Sequence, residues 1–188
     1  MAMPAYVSDR FQLFNRATSD ESEWHWYGPI NTLLGYLFPP QEYEVAPQYK
    51  GPVYPGSVDF TTLYIVRSAR GSSKHPICFI EIKPAGHLQE LAARSAADRQ
   101  MRERFDRLIE GLIIPKLIGL SAIGSQFAIY EYDRASHELT PAEISRDTRI
   151  VNDTAPAARW THDFLDGGEG EAKLLAVAQS IRELCDAL

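Results

Sequence analysis

The sequence has little of what a disulfide-stapled or zinc-built protein needs. Only two cysteines occur among its 188 residues, Cys78 and Cys185. The first lies in an apolar run and the second at helical spacing with other apolar residues. Both are therefore expected as buried free thiols rather than as a bridge. The five histidines, His25, His75, His87, His137 and His162, show no paired ligand spacing, which argues against a zinc site. No apolar run approaches the length of a membrane span. Met1 to Asn15 contains no basic stretch leading into an apolar one, so no secretory leader is read and a cytosolic or nuclear location is expected. Net positive charge is missing too. A net charge of −6 and a pI of about 5.4 count against a broad basic face that coats nucleic acid. They do not exclude an enzyme that gathers carboxylates around a cation, since the bound ion supplies the positive charge. No internal repeat or low-complexity tract is present.

What is there reads as one ordinary globular domain, residues 1–188, with 45% hydrophobic and 23% charged residues. From Thr18 to Phe38, Tyr27, Ile30, Leu33, Leu34 and Leu37 recur at helical spacing, and Pro29 fits the first turn of a helix starting near Gly28. Pro39-Pro40 stops it. Three strands follow, Glu42 to Tyr49, Val58 to Val66 and Pro76 to Lys83, with a Gly/Pro-rich loop at Lys50 to Gly56 and a turn at Arg70 to Lys74. Pro47 marks the first as an edge strand. The near-continuous apolar run Ile77-Cys78-Phe79-Ile80 marks the third as central, covered on both faces. A helix from about Leu88 to Leu112 buries Ala97, Met101, Phe105, Leu108 and Leu112. On it, Glu90–Arg94, Asp98–Arg102 and Glu103–Arg107 are acid-first pairs four residues apart, the pattern of an exposed face. Leu117 to Ile123 and Gln126 to Tyr132 form a hairpin about Gly124-Ser125, a two-residue turn of the II′ kind. Arg134 to Gly168 is mostly irregular, a candidate lid or partner surface. Glu171 to Leu188 is a closing helix with Leu174, Ala178, Ile181, Cys185 and Leu188 on one face. The expected class is α/β, a mixed central sheet of about five strands flanked by helices, with a core over residues 20–132.

Chemistry concentrates on the third strand. Alternation places Glu81 and Lys83 on one face and Ile82 on the other. A carboxylate and an amine at the end of a buried apolar strand are costly unless paired or used. Asp59 starts the preceding strand and lies beside Glu81 if the two strands pair. Two such carboxylates and the Ile82 backbone carbonyl make a hard-oxygen set suited to Mg2+ or Mn2+. Lys83 would then orient or deprotonate a water, or stabilise charge on a phosphorane. A plain structural ion pair of Glu81 with Lys83 is the competing reading.

Asp59 followed by Glu81-Ile82-Lys83 resembles the signature of the PD-(D/E)XK nuclease superfamily, with Val58 where that signature has proline. The likeness runs over Asp20 to Tyr132. Tyr27-Gly28-Pro29, Ala46-Pro47-Gln48-Tyr49 and Ala97-Asp98-Arg99-Gln100-Met101 are also similar to stand-alone fungal proteins of that superfamily. The resemblance implies a restriction-endonuclease-like sandwich and a Mg2+- or Mn2+-dependent phosphodiester hydrolase acting on nucleic acid, DNA before RNA, with a homodimer as one arrangement. It gives Gln100 a catalytic, assisting role and makes Glu23 on the first helix a further metal ligand. Glu21 competes for that place, and Asp20 to Glu23 also reads as a capping box. Ser121 is read as hairpin rather than nucleophile, and Trp24, Trp26 and Tyr27 as packing aromatics. The alternative function is a catalytically inactive nuclease-fold protein that binds nucleic acid or another protein.

Overall fold

The computed structural model describes residues 3–17, 23–49, 58–68, 71–164 and 166–188. It is an α/β structure built on one mixed sheet. Five long strands, β1 (Tyr43–Tyr49), β2 (Val58–Ser68), β3 (Gly71–Lys83), β4 (Lys116–Ile123) and β5 (Gln126–Asp133), lie side by side in chain order. Two short strands, β6 (Glu138–Thr140) and β7 (His162–Asp163), both add to β5. Only β3 and β4 run parallel; the other neighbours are antiparallel. A parallel pair needs a crossover, and α3 (Leu91–Leu108) supplies it. β1 is the edge strand that Pro47 indicated, and β3 is central and buried from Pro76 to Ile82.

α3 covers one face of the sheet. Its Phe105 ring meets Phe79 of β3 at 4.9 Å, edge to face, and Ala97, Met101, Phe105 and Leu108 are buried as their spacing indicated, as is Leu112. Each large side chain on that stripe contributes about 1.5–3 kcal/mol by leaving water. Gly119 of β4 lies beneath: a methyl group there would sit 2.6 Å from Phe79 and 2.7 Å from Met101. The opposite face carries α1 (Ala5–Ala17), α2 (Tyr27–Leu37) and α4 (Glu169–Asp186). Phe11 of α1 stacks on Phe164 at 5.5 Å, and Phe164 on Phe127 of β5 at 4.4 Å. Arg182 of α4 donates to the Leu37 carbonyl at 2.7 Å. Pro29 falls in the first turn of α2 and is buried, so its missing N–H leaves no helical hydrogen bond unmade. The β4–β5 turn has φ +61 at Gly124 and Ile123 paired with Gln126, as a II′ turn requires.

Several expectations need correction. α1 was not anticipated. The helix read over Thr18 to Phe38 is α2 preceded by a 3-10 turn at Glu23–Trp26, and residues 18–22 lie outside those described. α3 is shorter than Leu88 to Leu112, flanked by 3-10 turns at Ala85–Gln89 and Ile109–Gly111. Residues Gly71 to Lys74 are strand rather than turn, because β2 and β3 pair out to Ser68 and Gly71. Leu188 is 64% exposed, since α4 ends at Asp186 before the apolar stripe reaches it.

The charged face assigned to α3 is also different. Arg94 and Asp98 are buried beneath the segment that follows β6. Arg94 donates to the carbonyls of Ala155 (2.9 Å) and Leu88 (2.8 Å) and to Asp153 (2.8 Å). Arg102 does pair with Asp98 at 3.0 Å, but it also holds the Pro141 carbonyl. Glu103 pairs with Arg99 at 3.9 Å. The long irregular segment is thus strapped to α3 by arginines. Among the described residues no helix is long and apolar enough to cross a membrane.

Candidate metal centre

The β2–β3 register sets the site. Phe60 pairs with Ile80 and Thr61 with Phe79; the ladder ends there, with Asp59 the next residue on β2 and Glu81 the next on β3. The two are close enough for the Asp59 charge to act on the Glu81 carboxyl. That end of β3 is also its carboxyl end, where the crossover to α3 begins. Ligand sites in α/β sheets collect there, because loops and helix starts open beside the strand ends.

Asp59 is held from two sides. Its Oδ2 accepts from the Ile82 N–H at 2.7 Å, and its Oδ1 accepts from the Tyr27 hydroxyl at 2.6 Å. A residue's N–H and C=O point to the same side of an extended strand, so the Ile82 carbonyl faces the Asp59 side as well. Lys83 alternates with Ile82 onto the Glu81 face, and its own carbonyl accepts from Gly124 N–H at 2.9 Å on the β4 side. A side chain at Gly124 would run into Ala85, at 2.7 Å from its Cβ, so this tight contact and the positive φ both require glycine.

Glu81 is the electrostatic centre. It is 2% exposed. Gln100 donates to Oε2 at 2.5 Å and the Arg104 guanidinium to Oε1 at 2.7 Å, both from α3 one turn apart. Burial, first, and the Asp59 charge, second, raise its pKa from 4.5 to about 7; Arg104 and Lys83 pull in the other direction without cancelling the rise. A carboxylate bonded to an arginine ordinarily titrates low, so desolvation wins here. Ser121, the β4 partner of Glu81, is buried and accepts from the Trp160 indole at 3.3 Å, a structural hydroxyl on a strand.

Asp59, Glu81, Lys83 and Gln100 are thus brought together. The Glu23 side chain and Glu21 lie outside the described residues. Two neighbours of the site escaped sequence reasoning. Tyr27 was assigned to packing, yet its hydroxyl, from the first turn of α2, reaches Asp59. Arg104 follows Gln100 by one helical turn, so the same face that delivered the glutamine also signalled the arginine.

The donor set fits a small hard cation. Each carboxylate oxygen carries two acceptor directions, and the observed hydrogen bonds occupy one on each oxygen of Glu81 and of Asp59. Magnesium takes one or two protein carboxylates and completes its octahedron with waters and substrate phosphate oxygens. Among the described residues no group of three or more His, Cys, Asp or Glu side chains is placed to share an ion. Comparison of the chain with protein-family models, with curated proteins and with solved structures returns no match.

Proposed function

We propose that this chain is a Mg2+- or Mn2+-dependent nuclease of the PD-(D/E)XK type, with a restriction-endonuclease-like fold, hydrolysing phosphodiester bonds in DNA rather than RNA. One observation carries the reading: two carboxylates, Asp59 and Glu81, come together at the same end of the paired strands β2 and β3, one of them buried and raised to about 7 by desolvation and by the charge of the other. A divalent ion relieves that arrangement better than a proton does. Asp59, Glu81 and the Ile82 carbonyl would hold it. When bound, such an ion polarises a phosphate and makes its coordinated water acidic. Lys83, projecting from the same face, supplies positive charge beside the attacked phosphorus or holds the attacking water. Gln100 and Tyr27 fix the two carboxylates in place. The preference for DNA over RNA rests on the resemblance of the motif.

The test is cleavage of single- and double-stranded DNA and of RNA, with Mn2+ or Mg2+ and with EDTA. Activity that needs the ion and falls by at least about a hundredfold in Asp59→Ala and Lys83→Ala is expected. Wild-type protein inactive on all three substrates with either ion would refute it.

A second reading is favoured by the donors Glu81 already has, Gln100 on one oxygen and the charged Arg104 on the other. In it the chain keeps the fold and binds nucleic acid or protein without turnover. DNA binding indifferent to EDTA, with no cleavage, is its signature.

A further inference from the structure

Arg104 is a buried charged group in contact with the site for which the proposed reaction has no use. It is 8% exposed, projects from the sheet-facing side of α3, and bonds Glu81 Oε1 through Nε at 2.7 Å. We infer that Arg104 is a resident cation, which keeps the paired carboxylates folded without metal and holds the affinity of the site for divalent ions low. The inference rests on reading Asp59 and Glu81 as metal ligands.

The geometry sets two effects of opposite sign against each other. Arg104 and Gln100 each take one acceptor direction on Glu81 and so fix its orientation. Outer donors of this kind help a bound ion, and losing one typically costs about 10–100-fold in affinity. Against this stands repulsion. The guanidinium cannot shed its proton. An ion joining the open acceptor direction of Glu81 would share one carboxylate with it. A single and a double positive charge about 6 Å apart, at an effective dielectric of about 20, repel by an amount on the order of a thousandfold or more in binding. Repulsion therefore outweighs orientation. Lysine at this position keeps the charge; glutamine keeps a donor and removes the charge.

The experiment is titration of the full chain with Mn2+ at pH 8, read by calorimetry and by the resonance signal of free Mn2+. It compares wild type, Arg104→Gln, Arg104→Lys, and Asp59→Ala alone and combined with Arg104→Gln. Arg104→Gln is expected to bind Mn2+ at least about tenfold tighter than wild type, Arg104→Lys within about threefold of it. Asp59→Ala should abolish binding in either background. Arg104→Gln binding no tighter than wild type, or Arg104→Lys gaining as much as Arg104→Gln, overturns the role of Arg104 and leaves the metal centre standing. Binding absent from both wild type and Arg104→Gln, or indifferent to Asp59→Ala, overturns the metal centre itself. If Arg104→Gln is unfolded in EDTA by circular dichroism, recovery on adding Mn2+ supports the inference, and failure to recover counts against it.

Discussion

Replacing Glu81 by glutamine removes a buried charge while keeping the side chain's volume and its capacity to meet Gln100 and Arg104. Glu81 titrates near 7 in the folded protein and at about 4.5 when unfolded. Below 4.5 the carboxyl is neutral in both states and costs nothing. As pH rises toward 7 the unfolded chain releases this proton while the folded protein keeps it, so stability falls through that window. Above 7 the loss is complete. The difference between 4.5 and about 7 corresponds to on the order of 3 kcal/mol. Protonated glutamic acid and glutamine are near-isosteric, so E81Q should match wild type near pH 4.5 and exceed it at pH 8 by about that amount. For a chain of this length that is a gain of about 6–12 °C in melting temperature. Thermal and urea unfolding of both proteins in EDTA, at several pH values, measures it. The pH dependence of the difference reports this carboxyl and the groups its charge acts on, and cancels the titrating groups far from it. An ordinary buried ion pair behaves oppositely, and breaking one costs about 3–5 kcal/mol. E81Q less stable than wild type at pH 8 would refute the claim that desolvation outweighs Arg104. So would a difference that does not change with pH.

Gly119→Ala forces a methyl group against Phe79 and Met101 in a closed layer; it should cost about 1–3 kcal/mol in urea unfolding. Arg94→Met leaves the Ala155 and Leu88 carbonyls without their buried donor, and should lower stability by about 2–4 kcal/mol. Hydrogen exchange should then quicken over residues 152–156. Cys78 is buried, and burial pushes its thiol up to about 12, as it does for Cys185. Neither should react with a disulfide reagent in native protein, while both react in denaturant.

Patterns that depend on one element were legible before the fold was known. The run Ile77 to Ile80 identified a strand buried on both faces, and the alternation of Glu81, Ile82 and Lys83 put the two charges on one side. The spacing of Ala97, Met101, Phe105 and Leu108 gave the buried face of α3. The pairing of β2 with β3, which brings Asp59 and Glu81 to one end of the sheet, was readable because consecutive strands joined by a short connection usually pair. Features that depend on what arrives from far along the chain were hidden. The acid-first pairs on α3 obey a rule for exposed helices, but the segment from Pro141 to Trp160 folds over that face, so Arg94 and Asp98 are buried. α1 places Val7 and Phe11 in the core, and Phe11 does so against Phe164, which arrives from the far end of the chain. Nothing local to Tyr27 says that its hydroxyl crosses to a strand thirty-two residues away.

α3 carries an internal comparison that separates structural charge from charge held ready for use. Asp98 and Glu81 are both buried carboxylates on arginine partners. Asp98 receives four donors: Arg102 through Nε and Nη2, Arg159 through Nη1, and the Tyr130 hydroxyl. Two guanidinium groups outweigh its single charge, and among the described residues no other carboxylate bonds to that cluster. It is a clamp, and an added cation would meet only repulsion there. Glu81 receives two donors, only one of them charged, and it feels the negative charge of Asp59 as well. The same helix that over-neutralises one carboxylate leaves the other under the influence of a second negative group, at the strand end where the crossover loop begins. A fold selected for stability alone gains nothing from that second arrangement, because an apolar pair of the same volume would be at least as stable. The cost is intelligible if the position is reserved for a cation, which is why E81Q should stabilise the protein and Asp98→Asn should not.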